Sequence, residues 1–175
     1  MSTRKYKSQI GTIPKIVNNF LPKTDNQKLF YNKVSDFNNQ LILCHGIAGT
    51  GKTYVSIYKA LQDVLRRGLP YDKLIIINPT VDVGNEDKLG YLPGELQQKI
   101  QQYNESTFTI LNKIIGKSRA NKMISDGKIE IGVLNFLRGT NLENCYVILD
   151  EAQNVSPMQI KTLMTRISEN CKMII

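Results

Sequence analysis

The amino-acid sequence predicts a three-layer α/β domain built around a mainly parallel five-stranded sheet. Three observations carry that prediction. Short apolar runs alternate with stretches of helical periodicity, the pattern of strand–helix–strand units. One unit contains Gly46-Ile47-Ala48-Gly49-Thr50-Gly51-Lys52-Thr53, which fits G-x-x-x-x-G-K-[ST] without a gap. A later apolar run, Tyr146-Val147-Ile148-Leu149, ends in the adjacent carboxylates Asp150 and Glu151.

The first element is a helix opening at Thr24-Asp25-Asn26-Gln27, with Phe30, Val34 and Phe37 at i, i+4 and i+7. Thr24 and Gln27 have the spacing of a capping box, in which each side chain satisfies a free N–H of the first turn. Gln27 has a second reading. A glutamine just upstream of a phosphate-binding loop reads adenine, its amide serving as paired donor and acceptor. One amide does not meet both roles in full at once, and the sequence does not choose between them.

Leu41-Ile42-Leu43-Cys44 is a short apolar run with the look of a buried parallel strand. In the loop after it, glycines let the backbone turn tightly, so that N–H groups point at phosphate oxygens. Lys52 would reach the β- and γ-phosphates, and the Thr53 hydroxyl would hold Mg²⁺. The context supports this P-loop reading, because Tyr54, Ile57, Tyr58, Leu61, Val64 and Leu65 follow at helical spacing, with Gly68 and Pro70 marking the end. His45, the one histidine, sits between strand and loop, where packing or a backbone hydrogen bond suits it better than catalysis.

Lys73-Leu74-Ile75-Ile76-Ile77-Asn78 is the second strand, stopped by Pro79. The connection over residues 80–94 carries Asp82, Glu86 and Asp87, and loops of that length are usually functional or mobile. Leu96, Ile100 and Tyr103, then Phe108, Leu111 and Ile115, predict one long helix or two shorter ones. Ile129-Glu130-Ile131-Gly132-Val133 alternates like a strand and is followed by Arg138-Gly139-Thr140. At the end of the next strand side chains alternate in direction. Asp150 is therefore free to bind the Mg²⁺ that bridges phosphates while Glu151 orients and deprotonates a water. Ser156, with Pro157 next and Gln159 three residues on, starts a helix through Ile160, Leu163, Met164 and Ile167. Residues 171–175 read as the fifth strand.

The bulk properties fit this picture. The chain has 175 residues, enough for one domain with a core. No apolar run approaches the roughly 20 residues that span a bilayer, and the basic N-terminus lacks the apolar segment of a signal peptide. Three cysteines (Cys44, Cys145, Cys171) without C-x-x-C spacing suit a reducing cytoplasm, each as a small buried hydrophobe at a strand. The net charge is +8 and unevenly placed. Five basic groups and no acid fall in residues 1–24, leaving 18 basic groups against 15 acids elsewhere. Residues 1–23 are expected to form a basic, partly disordered arm, and residues 24–175 the domain. The arm, with Lys113, Lys117, Arg119, Lys122 and Lys128, offers charge that RNA or single-stranded DNA would meet. Solvated charge is the alternative for both patches.

Together, the loop at residues 46–53, Leu89-Gly90-Tyr91-Leu92-Pro93-Gly94 and Ile148-Leu149-Asp150-Glu151-Ala152-Gln153-Asn154 resemble the PhoH-like ATPases. Pro22-Lys23-Thr24 with Gln27, and Leu163-Met164-Thr165-Arg166-Ile167, fit as well. The resemblance covers roughly residues 22–175. It implies a P-loop NTPase of RecA-like fold, similar to the first such domain of superfamily 1 helicases. It also implies ATP and Mg²⁺ as cofactors, Gln27 on adenine, Gly46, Ile47, Ala48, Gly49, Thr50, Gly51, Lys52 and Thr53 on phosphate, Thr53 and Asp150 on the metal, and Glu151 and Lys52 in hydrolysis. Arg138 and Arg166 are further expected contacts to phosphate or nucleic acid. Members are bacterial and phage proteins, held to form homo-oligomeric rings and linked with RNA metabolism.

The sequence departs from the family pattern at Asn78-Pro79, where an arginine is usual, and residues 84–90 run about two longer. It also stops before the Gly-Asp and nearby Gln that would sense γ-phosphate. Little hydrolysis and an exposed edge at residues 41–44 are therefore expected of these residues alone, with turnover on extension. Three functions remain open: an ATPase that remodels nucleic acid, a nucleotide-binding module without turnover, and a P-loop small-molecule kinase.

Overall fold

The computed structural model describes residues 19–79, 104–132, 141–168 and 170–175. The expected basic arm up to residue 18, the 80–94 connection, the helical stretch from Leu96 to Tyr103 and the segment holding Arg138 lie outside the described residues. In chain order the elements are α1 (Asp25–Ser35), β1 (Leu41–Ile42), α2 (Lys52–Val64), β2 (Lys73–Ile77), α3 (Glu105–Ile115), α4 (Lys117–Ser125), β3 (Ile129–Gly132), β4 (Cys145–Leu149), a 3₁₀ turn (Ala152–Asn154), α5 (Pro157–Met164) and β5 (Lys172–Ile174).

The strands form one sheet in the order β1-β5-β4-β2-β3, and every neighbouring pair is parallel. Inner strands β2 and β4 run through residues 74–77 and Cys145–Leu149 without polar alternation because both of their faces are covered, whereas the edge strand β3 alternates. Leu74, Ile76, Tyr146, Ile148 and Ile174 point into one core, packed by Val34 of α1, Ile57 and Leu61 of α2, Leu111 and Ile114 of α3 and Met123 of α4. Ile75, Ile77, Val147, Leu149 and Met173 point the other way, onto Leu163 of α5. The result is the three-layer α/β architecture. Leu163→Ala would remove the only fully buried side chain of α5, at a cost of roughly 2–5 kcal/mol.

β1 occupies one edge of the described sheet, leaving Leu41 39% and Leu43 71% exposed. At its amino end α1 starts with half of the expected capping box: Thr24 Oγ1 accepts from the Gln27 N–H (3.2 Å), while Gln27 Oε1 takes the Lys23 N–H (2.8 Å) instead of that of Thr24. Two helix features differ from expectation. α4 is a helix that periodicity does not reveal, because only Ala120 and Met123 are buried in it. Gly116, at φ 81°, separates it from α3 in a conformation that favours glycine. The helix after Ser156 ends at Met164 rather than running through Ile167, because the chain turns there to place Ile167 in a bridge with Leu142.

α2 also buries more than its apolar face. Ser56, Lys59, Gln62 and Asp63 are buried, enclosed by α1 and the sheet. Lys59 pairs with Asp63, and Gln62 links Tyr58 to Tyr31 through hydrogen bonds of 3.2 and 3.1 Å. Lys172, at the start of β5, completes the cluster. Fully buried, it donates to the carbonyls of Val34 (2.7 Å) and Asp36 (2.8 Å), where α1 runs out of intrahelical donors. Its ammonium lies 5.5 Å from the Phe37 ring centre and 5.9 Å from that of Tyr146.

Burial pulls Lys172 down from 10.5 to about 8, against the attraction of Asp63. The sign follows directly. Between those values the unfolded chain holds a proton that the folded chain has released, so stability rises with pH across that window. Urea unfolding should show a gain of about 1–2 kcal/mol between about pH 8 and about pH 10, where tyrosines begin to ionise in the unfolded chain. Lys172→Met should lack that gain. The same flat profile in both proteins would overturn the account of Lys172.

Candidate nucleotide site

Parallel strands bring their carboxyl ends to one side of the sheet, and β5 alone separates β1 from β4. The loop leaving β1 and the carboxylates leaving β4 therefore meet. Pairing along β1 extends past the regular strand, through Met173 N–H to the Gln40 carbonyl (2.7 Å) and Cys44 N–H to the Ile175 carbonyl (2.7 Å). The expected strand at residues 41–44 is thus held at both ends before the chain enters the glycine loop.

Gly49 has φ 78° and Gly51 has φ 86°, both in the left-handed region. Gly51 is the N-cap of α2, and a Cβ there would lie 3.5 Å from Gln27 Nε2. Thr50 Oγ1 donates to the Ile47 carbonyl (2.9 Å) and tightens the turn. Lys52 folds back on its own loop, donating to the carbonyls of Gly46 (2.8 Å) and Ile47 (3.0 Å). The first N–H groups of α2 open onto the same space, an arrangement suited to an anion.

Gln27 is engaged twice. Its Oε1 accepts from the Lys23 N–H (2.8 Å), and its Nε2 donates to the Thr50 carbonyl (2.9 Å). It therefore ties α1 to the loop. One amide hydrogen and one lone pair remain for a second role.

Thr53 and Asp150 come together from positions 97 residues apart, Thr53 Oγ1 donating to Asp150 Oδ1 (2.9 Å). The Asp150 N–H is still in the sheet, donating to the Ile77 carbonyl (3.0 Å). Burial raises the Asp150 pKa, and the charge of Glu151 adds to that, while the Thr53 hydrogen bond and Lys52 oppose it. Glu151 takes φ 53° and ψ 40°, a left-handed conformation that costs a non-glycine residue about 1–2 kcal/mol. The 3₁₀ turn after it brings Gln153 back, so that Gln153 Nε2 donates to Glu151 Oε2. Sequence reasoning singles out no role for Gln153. Its signal is a glutamine two residues beyond the second carboxylate, legible only once the turn is known. The expected capping box of α5 is present, with Gln159 N–H on Ser156 Oγ (3.3 Å) and Ser156 N–H on Gln159 Oε1 (2.9 Å).

These groups line a cleft of about 740 Å³, within the range of small-molecule sites. Gly46, Ala48, Gly49, Gly51, Lys52, Thr53, Asp150, Glu151 and Gln153 form its polar wall. Ile47 is largely exposed and contributes its carbonyl to Lys52 instead. Cys44 and His45 stand at the cleft as well, His45 exposed and Cys44 half-buried, its thiol pushed up by burial and drawn down by Lys52. Arg166 is elsewhere, on a separate groove with Asn141, Met158, Lys161, Thr162 and Thr165. Hard oxygen donors at Thr53 and Asp150, beside an anion-binding loop, fit a Mg²⁺ ion that keeps waters and nucleotide oxygens as its other ligands. No cluster of three or more histidine, cysteine or acidic side chains exists among the described residues that would hold a metal by itself.

The family described as PhoH-like protein matches residues 19–175. Among its relatives, a PhoH-like protein of Bacillus subtilis is 40% identical over 137 residues, covering 78% of this chain and 42% of the relative. A PhoH-like protein of Synechocystis is 39% identical over 137 residues, 78% of this chain and 40% of the relative. Protein PhoH of Escherichia coli K12 is 36% identical over 138 residues, 78% of this chain and 38% of the relative. The chain thus spans about two-fifths of the length of these curated relatives.

Asp150→Asn separates structure from metal use. Asparagine still accepts from Thr53, and it removes a carboxylate whose ionised form burial disfavours. The folded-state pKa of Asp150 is raised, so its ionisation above that value works against folding, and the variant should melt no lower than the parent at neutral pH. ATP affinity in the presence of Mg²⁺ should fall by about tenfold or more. Calorimetry showing unchanged Mg²⁺-dependent affinity would remove Asp150 from the metal site.

Proposed function

The chain belongs to the PhoH-like protein family, a family of P-loop ATPases, and from that premise we propose that it binds ATP with Mg²⁺ in the cleft and hydrolyses it. The observation that carries this reading is the Thr53–Asp150 hydrogen bond, which joins the loop motif to the carboxylate motif. Lys52 leaves the carbonyls of Gly46 and Ile47 to pair with phosphate oxygens, and the N–H groups of the loop receive the rest of the negative charge. Thr53 and Asp150 would hold Mg²⁺, whose chemistry is to neutralise charge on the phosphate oxygens. Glu151 accepts the proton of the attacking water at Oε1, while Gln153 holds Oε2. Gln27 reads the adenine edge with its remaining hydrogen and lone pair.

Single-stranded nucleic acid, RNA first, is the partner class that the charge supports. The excess of basic residues includes Lys113, Lys117 and Arg119, all exposed on or beside α4. The rest of that patch is partly used: Lys122 pairs with Asp126 (3.1 Å) and Lys128 donates to the Asp72 carbonyl (3.0 Å).

Calorimetry and phosphate release test the reading together. Lys52→Ala should lose about tenfold or more in ATP affinity. Glu151→Gln should bind ATP as the parent does and release phosphate about 10²–10⁴-fold more slowly. An unchanged affinity in Lys52→Ala would remove the site. ATP binding without phosphate release in the parent, with or without RNA, would leave a nucleotide-binding module in place of an ATPase.

Gln27→Glu tests base recognition. Glutamate keeps the acceptor that Lys23 uses but has no amide hydrogen for adenine or for Thr50. The parent should prefer ATP over GTP, and the variant should lose most of that preference. Equal affinities for the two nucleotides in the parent would leave Gln27 only its structural role.

A further inference from the structure

We propose that Cys145 and Cys171 are a paired oxidative modification site, converted by a hydroperoxide into a disulfide within the chain. The two sulfurs are 3.4 Å apart, although the residues are 26 positions apart in sequence. Tyr146 pairs with Lys172 in the parallel β4–β5 ladder, so Cys145 and Cys171 face each other one step earlier. Neighbouring strands lie about 4.8 Å apart, inside the range of Cα separations that a disulfide spans. Bond formation therefore asks for a small approach of the two sulfurs and no shift of register.

The surroundings favour this one product. Cys145 is 0% and Cys171 2% exposed, which shields them from a second chain and from bulky thiols. The Cys171 Sγ–H donates to the Leu142 carbonyl (2.9 Å), and Ser168 Oγ lies 3.6 Å from the same sulfur. Contact with Cys145 and Ser168 lowers the Cys171 pKa, while that of Cys145 is raised by the same contact and by burial. Cys171, approached by both Cys145 and Ser168, is the sulfur assigned the first step. Asn170, the residue before Cys171, is exposed. Cys44 is not part of the site, because it stands at the nucleotide cleft, at the other end of the sheet.

The chemistry balances. Cys171 sulfur attacks hydrogen peroxide, an S–O bond forms as the O–O bond breaks, and one water leaves a sulfenic acid behind. Cys145 sulfur then attacks Cys171 sulfur, the S–S bond forms as the S–O bond breaks, and the departing hydroxide takes the Cys145 proton as the second water. Two thiols lose two electrons and two protons to the peroxide. The new bond closes a chain segment that contains Asp150, Glu151 and all of α5.

The test uses the whole chain and does not depend on nucleotide binding. After treatment with hydrogen peroxide and alkylation of remaining thiols, peptide mapping should join Cys145 to Cys171 and leave Cys44 outside the bond. The oxidised protein should melt on the order of 5–10 °C higher, because the cross-link restricts the unfolded chain, and dithiothreitol should reverse both changes. Cys145→Ala and Cys171→Ala should each show neither change. The parent's own peptide map decides the matter even if a variant folds poorly. Recovery of Cys145 and Cys171 fully alkylated from the peroxide-treated parent would overturn the proposal, as would disulfides between chains or a bonded form that melts lower.

Discussion

Everything at the cleft depends on one topological constraint: five strands run the same way, with β5 inserted between β1 and β4. Parallel pairing sends every carboxyl end to the same side, so the glycine loop and the Asp150 carboxylate arrive as neighbours. Hydrogen bonds along the β4–β5–β1 ladder set their height relative to each other, and the contact of Thr53 with Asp150 follows from that height. A slip of one residue in any of these pairings would exchange the two faces of a strand and send the loop-facing groups into a core.

Within the cleft, the groups suited to nucleotide are satisfied by one another. Lys52 rests on two loop carbonyls, Thr53 on Asp150, Glu151 on Gln153, and Gln27 on Thr50. A nucleotide bound as proposed would exchange one set of hydrogen bonds for another, its net gain coming from charge: phosphate against Lys52 and the amides, metal against Asp150. The left-handed backbone at Glu151 is held by the 3₁₀ turn and the packed strand on either side of it, a usual place for strain to persist.

α1 connects this cleft to the middle of the sheet. Its first turn is fastened to the loop by Gln27, and its last carbonyls are fastened to β5 by Lys172. The buried lysine is balanced by Asp63, itself paired with Lys59, and Tyr146 lies over the same charge. Breaking one partner of such a buried set leaves an uncompensated charge, which is more damaging than replacing the whole set with apolar groups.

The sequence by itself determined the fold class and the two motifs that meet at the cleft. A G-x-x-x-x-G-K-[ST] run has meaning only between a strand and a helix, and apolar runs without alternation mean a sheet covered on both faces, so both could be read from local pattern. The serine cap of α5 and the threonine cap of α1 were legible for the same reason, since their partners lie three residues away. Tertiary structure alone decided the rest, because those contacts join distant parts of the chain. Periodicity treats Lys172 as an ordinary strand residue and the polar positions of α2 as solvent-facing, since nothing local announces that α1 will cover them. Nothing in the sequence says that Gln153 turns back onto Glu151, which needs the left-handed backbone at Glu151. Nor could spacing pair Cys145 with Cys171: only the ladder between β4 and β5, a contact between strands with a helix between them in sequence, puts one sulfur against the other.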